Sequence, residues 1–153
     1  MGLAIQDALH QGILERKELV VQTKHWRSYH GYEPTLQCLE LSLKRLQLEW
    51  IDVWLMHWPG PAWNTMARRK DEIAKNGPWQ YASYSKEDLP VLRSDTWRAM
   101  EKALQEGKVK AIGVSNFSVA HLERLKQTAT IWPPAINQIE CHPLYPQKEL
   151  LEY

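Results

Sequence analysis

Four short apolar stretches, separated by helical patterns, constrain the fold of this chain more than any other feature. They cover residues 19–23, 51–58, 112–114 and 135–140. Each has the length and apolar character of a buried strand, while the stretches between them repeat apolar residues at helical spacing, most clearly from Leu36 to Leu46. Strict alternation of helix and strand predicts a parallel sheet with right-handed crossovers.

The sequence lacks two phosphate-binding motifs, and their absence narrows the possible classes of parallel fold. No GxGxxG and no GxxxxGK[ST] follows any of the four strands, so an open nucleotide-binding fold has no support and a barrel is favoured by elimination. The chain has 153 residues, well short of the roughly 250 that are typical of a complete eight-fold barrel. We expect one domain over residues 1–153, with about four βα units of an incomplete (β/α)8 TIM-type barrel.

Charge and composition exclude several kinds of partner. Lys and Arg number 19 against 18 Asp and Glu, so no electrostatic argument favours nucleic acid or an anionic membrane. The longest apolar stretch contains Asp52 and His57 and is too short for a membrane span. Cys38 and Cys141 form no CxxC pair and follow no secretory leader, which suits a reducing compartment. We expect a cytoplasmic protein with a small, neutral ligand.

Polar side chains stand where the apolar strands end. Residues 110–117 (KAIGVSNF) change abruptly from apolar residues to Ser115 and Asn116, and Lys24 and His57 close the first two strands. Carboxyl ends of parallel strands share one edge, where ligands bind. A lysine stabilises the anion of a neighbouring acid, and an imidazole can polarise a carbonyl oxygen. This pair suits carbonyl chemistry, although a solvated lysine and a satisfied rim histidine are the alternative.

Amide and aromatic side chains form a second set of candidates at the same edge. Ser115, Asn116, Asn137 and Gln138 could pair with a planar amide such as the carboxamide of nicotinamide. Their alternative role is in turns and helix caps, which the spacing favours for Asn137. Trp26 and Trp58 lie just past strand ends, where they could line an aromatic pocket, although packing is the commoner role of tryptophan.

Other motifs indicate structure or nothing specific. Adjacent Cys141 and His142 do not face one metal ion from a strand or loop, so no zinc site is predicted. Asp52 precedes the apolar centre of its strand and is interpreted as a structural partner of a basic group. No Ser-His-Asp order or nucleophile elbow is present. The connection over residues 59–93 lacks periodicity, and a connection of that length is usually functional.

Several motifs together resemble the aldo-keto reductases. Residues 107–117 (GKVKAIGVSNF) look like the second signature of that family, and residues 135–143 (AINQIECHP) are similar to the strand segment that follows it. Residues 19–24 and 51–59 resemble the family's lysine and histidine strands. The resemblance covers the chain in order and implies a (β/α)8 barrel that binds NADPH without a Rossmann motif and reduces aldehydes and ketones by hydride transfer.

The resemblance also implies a role for each candidate side chain. It implies that Lys24 and His57 are catalytic residues. Ser115, Asn116 and Gln138 would hold the nicotinamide carboxamide, and Trp26 and Trp58 would line the substrate pocket. The 59–93 connection would cover part of that pocket. No metal is implied.

Parts of the family's machinery have no counterpart in these residues. Its catalytic tyrosine, and the aspartate that pairs with the lysine, lie upstream of the matched segment, and its groups for the 2′-phosphate lie downstream. Tyr29 and Tyr32 follow a strand end in a loop, where nothing brings them to a hydride acceptor. We therefore expect the 153-residue chain to be inactive or weakly active by itself.

The resemblance leaves the state of association and one alternative function open. Members of the family are often monomeric, whereas four parallel strands leave two unpaired edges through which the chain could self-associate. The alternative is a non-catalytic interaction or regulatory module, as the potassium-channel β subunits of this superfamily are. Retention of Lys24, His57, Ser115 and Asn116 argues against a pure scaffold.

Overall fold

Helices and strands alternate along the chain as the apolar pattern predicts. The computed structural model describes residues 1–61 and 88–153. In chain order the elements are α1 (Gly2–His10), a 3-10 turn (Arg16–Glu18), β1 (Gln22–His25), a 3-10 turn (Arg27–Tyr29), α2 (Tyr32–Leu46), β2 (Ile51–Met56), α3 (Asp88–Gln105), β3 (Val109–Ser115), α4 (Val119–Lys126), β4 (Asn137–Gln138) and α5 (Lys148–Glu152).

The strands form one parallel sheet in the order β1-β2-β3-β4. Alternate side chains of the central strands, including Trp54 and Val114, join residues of α2, α3 and α4 in the hydrophobic core. Each large side chain buried there contributes about 1.5–3 kcal/mol. The intervening residues occupy the second face, where the register aligns Lys24 with Leu55 and Leu55 with Gly113.

The sheet curves strongly about its second face. Gln22 Nε2 on the first strand lies 3.5 Å from Gln138 Oε1 on the fourth, although three inter-strand spacings would separate these strands by about 14 Å in a flat sheet. Side chains on the concave face therefore meet across it. This curvature is that of a partial barrel.

Gly113 allows the close approach of the fourth strand. A Cβ atom there would lie 2.6 Å from the carbonyl oxygen of Ile136, nearer than a carbon can approach without displacing that backbone. With glycine in place, the Val114 N–H donates to Ile136 O at 2.8 Å. The glycine in the KAIGVSNF motif is thus needed to position β4.

Several element boundaries differ from those that the sequence predicts. The apolar pattern of residues 3–14 predicts one helix over that stretch, but α1 ends at His10, because Gly12 adopts a left-handed φ of 66°. Strand β1 covers Gln22–His25 rather than residues 19–23, since its pairing with β2 runs from Gln22 with Val53 to His25 with Met56. Strand β4 has two residues rather than six, because only Asn137 and Gln138 align with residues of β3, namely Val114 and Ser115.

The largest difference is the start of α3. The sequence predicts Asp95 as the N-cap of this helix, but the helix begins at Asp88, and Asp95 lies inside it, paired with Arg98 at 3.1 Å. Pro90 fits the first turn, where no intrahelical N–H is needed. The last part of the predicted 59–93 connection is therefore helical, and residues 62–87 lie outside the described residues.

Asp52 has the structural role that the sequence predicts. Its carboxylate contacts the guanidinium group of Arg16 at 2.7 Å and the ammonium group of Lys110 at 3.2 Å, and accepts the Val21 N–H at 2.9 Å. Burial raises the pKa of Asp52, but hydrogen bonds from Val21, Arg16, Lys110 and Trp50 outweigh it and lower the value to about 2. The cluster fastens the amino-terminal ends of the first three strands.

Residues 1–61 and 88–153 include no helix of the length and apolarity needed to cross a bilayer.

Candidate active site

The carboxyl ends of β2, β3 and β4 are tied together by side-chain hydrogen bonds. Asn116 Nδ2 donates to the carbonyl oxygen of His57 at 2.9 Å and to Ser115 Oγ at 3.2 Å. Ser115 Oγ donates to the carbonyl oxygen of Gln138 at 2.8 Å. Asn116 has a left-handed φ of 62°, which asparagine tolerates better than most residues. The polar end of the KAIGVSNF motif therefore links three strands.

Asn137 takes the structural role that its spacing favours. Its Oδ1 accepts the backbone N–H of Phe117 at 3.4 Å, and its Nδ2 donates to the backbone carbonyl of Phe117 at 3.0 Å. Both ends of the side-chain amide are thus used on one backbone residue. Asn137 fixes the turn that follows Asn116.

One acceptor and one donor outside this hydrogen-bond network match the polar groups of a primary carboxamide. Within the described residues, Asn116 Oδ1 and Gln138 Nε2 have no hydrogen-bond partner. A carboxamide offers N–H donors to the first and a carbonyl acceptor to the second. The hydroxyl proton of Ser115, which is 3% exposed, is committed to Gln138. The donor set therefore fits the amide of nicotinamide, with Ser115 fixing the position of Gln138.

Lys24 and His57 lie on the concave face but are not at equivalent positions. Lys24 aligns with Leu55, two residues before His57, and the His57 N–H donates to the carbonyl oxygen of His25 at 3.2 Å. Neither side chain forms an ion pair with the parts of the chain that the structure describes. The Lys24 charge is nonetheless close enough to act on the imidazole.

Both predicted pocket tryptophans flank His57. The ring centroids of Trp26 and Trp58 lie 5.4 Å and 5.9 Å from the imidazole, and Trp58 is stacked on it at 29°. The guanidinium group of Arg27 covers the Trp58 ring at 4.8 Å. Burial lowers the pKa of His57, and the positive charges of Lys24 and Arg27 lower it further. The imidazole is therefore neutral at pH 7 and can donate a hydrogen bond.

Two cavities open beside these residues. One of about 710 Å³ places Trp58 and Asn116 on the same wall, continuing along the start of α4. The other, of about 390 Å³, is lined in part by Lys24, Trp26 and Tyr29. The predicted site residues thus divide between two neighbouring cavities, and His57, Ser115 and Gln138 line neither.

The structure separates the two tyrosines near this site. Tyr29 shares the smaller cavity with Lys24. Tyr32 opens α2, where the guanidinium carbon of Arg98 lies 4.9 Å from its ring. Tyr32 is therefore engaged on the helical side.

A buried polar cluster behind β1 was not found from the sequence. His25 Nε2 lies 3.3 Å from Thr35 Oγ1, and His30 Nδ1 lies 3.1 Å from Thr96 Oγ1. Burial lowers the pKa of His25 to about 4. Thr96 also accepts the Gly31 N–H at 2.9 Å, so the cluster fixes the loop between Lys24 and α2. Strand alternation was the available signal, because it directs His25 toward the helices.

Residues 1–61 and 88–153 contain no group of three His, Cys, Asp or Glu side chains able to hold a metal ion. His142 instead lies 2.9 Å from Glu140 Oε1.

Known proteins match the chain along its length. The model described as Aldo/keto reductase family matches residues 2–153. The chain is 43% identical over 138 residues to glyoxal reductase of Bacillus subtilis (strain 168), covering 90% of this chain and 39% of the relative. It is 34% identical to the NAD(P)H-dependent D-xylose reductase of Kluyveromyces lactis, covering all of this chain and 46% of the relative.

A solved structure extends this agreement to the fold. The crystal structure of a Bombyx mori aldo-keto reductase in complex with NADP superposes with a TM-score of 0.76 at 32% identity, covering 99% of this chain and 42% of the other. The four curved parallel strands are thus part of a TIM-type barrel sheet. The chain spans less than half the length of these relatives. It belongs to the aldo/keto reductase family.

Proposed function

We propose that this chain carries the central part of an NADPH-dependent reductase of aldehydes or ketones. One observation supports it above the others: Asn116 Nδ2 donates to the backbone carbonyl of His57 itself at 2.9 Å. The group suited to a nicotinamide amide and the group suited to a substrate carbonyl are therefore joined by one hydrogen bond. Similarity to the NAD(P)H-dependent D-xylose reductase of Kluyveromyces lactis supports the same chemistry.

In this proposal Lys24 and His57 act on the carbonyl oxygen. The neutral imidazole of His57 donates its N–H to that oxygen and orients it. The Lys24 ammonium group stabilises negative charge that develops nearby, including the anion of a proton-donating acid. Trp26 and Trp58 exclude water from both sides of the imidazole, which strengthens these electrostatic interactions.

The cofactor would be held at its nicotinamide end. Asn116 Oδ1 accepts from the carboxamide nitrogen and Gln138 Nε2 donates to its oxygen, while Ser115 fixes the Gln138 backbone. When bound, the reduced nicotinamide supplies the hydride that converts the carbonyl to an alcohol. We propose that the 153-residue chain alone reduces carbonyl compounds weakly or not at all, because the family's proton-donating tyrosine has no counterpart at a matching position.

Titration of the purified chain with NADPH tests this function, with energy transfer from tryptophan to the reduced nicotinamide as the signal. Asn116→Asp keeps the side-chain size and tolerates the left-handed backbone, but it loses the donor to His57 O. We expect saturable binding by the unsubstituted chain and loss of roughly tenfold or more in affinity for the variant. Gln105→Glu, on the exposed end of α3, is the matched amide-to-acid control.

Binding that survives Asn116→Asp unchanged would reject Asn116 as a cofactor ligand. Absence of NADPH binding together with a stable complex with a protein partner would favour the non-catalytic module. Turnover of a simple aromatic aldehyde that His57→Ala abolishes would contradict the proposed inactivity of the chain.

The unpaired strand edges carry a second expectation about partners. Within the described residues, β1 and β4 each pair on one side only, and exposed edges template further pairing. We propose that the isolated chain self-associates through them. Sedimentation velocity over a range of concentrations measures this, and a monomer at every concentration would contradict it.

A further inference from the structure

Arg93 is a buried cation for which the described residues provide no carboxylate. It lies on α3 and is 5% exposed. Its Nε donates to the carbonyl oxygen of Pro59 at 2.6 Å, while its Nη1 is buried without a hydrogen-bond partner. A buried charge without a counter-ion destabilises a fold unless other contacts compensate. An apolar side chain would serve packing better, so the role of Arg93 lies in what its guanidinium group holds.

The Arg93 side chain contacts two turns that lead away from the candidate site. Pro59 directly follows Trp58, whose ring stacks on His57. On the other side, the Arg93 guanidinium carbon lies 6.0 Å from the ring centroid of Phe117, at the outer limit of a cation–π contact. Phe117 directly follows Asn116. One side chain therefore bridges the turn after β2 and the turn after β3.

The neighbouring titratable groups supply no opposite charge. Burial lowers the pKa of both His30 and His121, and the charge of Arg93 lowers each further. His121 Nδ1 accepts the Ser118 N–H at 3.3 Å in the cap of α4, a bond that requires the neutral ring. Burial and the charge of Arg124 in turn lower the pKa of Arg93. Among residues 1–61 and 88–153, Pro59 and Phe117 are thus the main contacts of the Arg93 guanidinium group.

We propose that Arg93 is a positioning residue that holds the Trp58–Pro59 turn and the Asn116–Phe117 turn in one arrangement. Its guanidinium group anchors the backbone of the first turn and packs on the aromatic ring of the second. The substrate pocket and the cofactor amide site are then set together rather than independently. The assignment of those two ligands rests on the proposed function, whereas the link between the turns is a property of the apo chain.

Three variants and three kinds of measurement test this link. Arg93→Met removes the charge and the donor but keeps much of the volume, and Arg93→Lys keeps the charge and a donor. Arg98→Met, on the exposed side of the same helix, is the matched control. Two-dimensional ¹H–¹⁵N spectra report the Trp58 indole and the Asn116 side-chain amide, and NADPH titration and urea unfolding are run on the same samples.

We expect Arg93→Met to shift both the Trp58 and the Asn116 signals and to weaken NADPH binding about fivefold, without lowering the urea midpoint. A residue that served only stability would lower midpoint and affinity together. We expect smaller shifts of the Trp58 and Asn116 signals in Arg93→Lys than in Arg93→Met, and no shift in Arg98→Met.

Unshifted Trp58 and Asn116 signals in Arg93→Met would overturn the proposal, as would shifts accompanied by a lower midpoint that Arg93→Lys does not restore. If the unsubstituted chain fails to bind NADPH, the proposed function fails, while the spectra of the apo variants still decide the role of Arg93.

Discussion

The two halves of the candidate site are built differently. The amide half, consisting of Ser115, Asn116, Asn137 and Gln138, is cross-linked by hydrogen bonds to neighbouring backbone groups. The carbonyl half, consisting of Lys24, Trp26, His57 and Trp58, is held by ring contacts and by strand pairing. In the described residues, the Lys24 ammonium group and the His57 imidazole have no hydrogen-bonded side-chain partner.

This difference indicates what each half can do without further groups. In the amide half, hydrogen bonds hold the Ser115, Asn116 and Asn137 side chains and the Gln138 backbone before any ligand binds, so binding requires little reorganisation of these groups. The carbonyl half presents a cation and a neutral imidazole whose polar atoms are available to another molecule. In the proposed function, the first half is a recognition site for an amide and the second is part of a catalytic site.

Gly113→Val disrupts the amide half and has the largest expected effect of these substitutions. Its Cβ would lie 2.6 Å from Ile136 O, so β4 must move away and Gln138 with it. We expect a loss of about 3 kcal/mol in the free energy of unfolding and loss of NADPH binding. Urea unfolding and NADPH titration measure these. Gly60→Ala is the control, because a Cβ there meets only the Leu89 side chain, at 3.7 Å; equal losses in both variants would contradict the account.

Asp52→Asn removes the support at the opposite end of the sheet and affects both halves alike. We expect the free energy of unfolding at pH 7 to fall by about 2 kcal/mol, because folding lowers the pKa of Asp52 from 3.8 to about 2. Because the folded-state pKa is the lower one, this stability is present above pH 4 and is lost as the pH falls through 2. Urea unfolding between pH 7 and pH 2 measures it.

The matching control for that experiment is Asp7→Asn, on the exposed surface of α1. We expect it to leave the pH dependence of the unfolding free energy as in the parent chain. A parallel decline of parent and Asp52→Asn stability in acid would show that Asp52 is not the group responsible.

Ser115→Ala tests whether the serine positions Gln138 without disturbing the carbonyl half. Loss of the hydrogen bond to Gln138 O should reduce the unfolding free energy by about 1 kcal/mol and weaken NADPH binding modestly. The imidazole signals of His57 should stay in place. Ser94→Ala is the control, because it removes a half-buried hydroxyl that donates to Pro90 O at 3.0 Å and accepts from Thr128 Oγ1 at 2.8 Å, away from the amide half. An unchanged affinity in Ser115→Ala would remove the positioning role.

Lys24→Met carries the smallest effect and concerns the carbonyl half alone. Burial is the main cause of the lowered His57 pKa and the Lys24 charge the second, so removing that charge should raise the pKa toward its ordinary value. Proton NMR titration of the His57 ring measures the change. Lys17→Met, at an exposed position paired with Glu15, should leave the His57 pKa unchanged. If Lys24→Met also leaves the His57 pKa unchanged, Lys24 and His57 are too far apart to cooperate.

Much of the fold follows from local patterns in the sequence. The alternating helices and strands, the parallel sheet and the structural pairing of Asp52 all depend on neighbouring residues or on strand ends. The offset of two residues between Lys24 and His57 in the register was not predictable, since it depends on where β1 stops pairing with β2. The resemblance of the motifs to a family, rather than periodicity, selected the barrel.

The roles of buried polar groups were the least predictable. Arg93 bonds Pro59, which lies 34 positions away in sequence, and His30 meets Thr96 across 66 positions. Such contacts depend on how helices dock and leave no periodic signal. Ser115 was recognised as a polar strand end, but the commitment of its proton to Gln138 depends on the close approach that Gly113 permits.

The central claim is that the chain contains a preformed site for the nicotinamide amide. Its most direct test follows the side-chain amide signals of Asn116 and Gln138 in ¹H–¹⁵N spectra during two titrations of the unsubstituted chain. One ligand is reduced nicotinamide mononucleotide, and the other is 2′-phospho-ADP-ribose, which lacks the nicotinamide. The account predicts saturable shifts of both amides with the first ligand and none with the second; equal shifts with both ligands, or none with either, would contradict it.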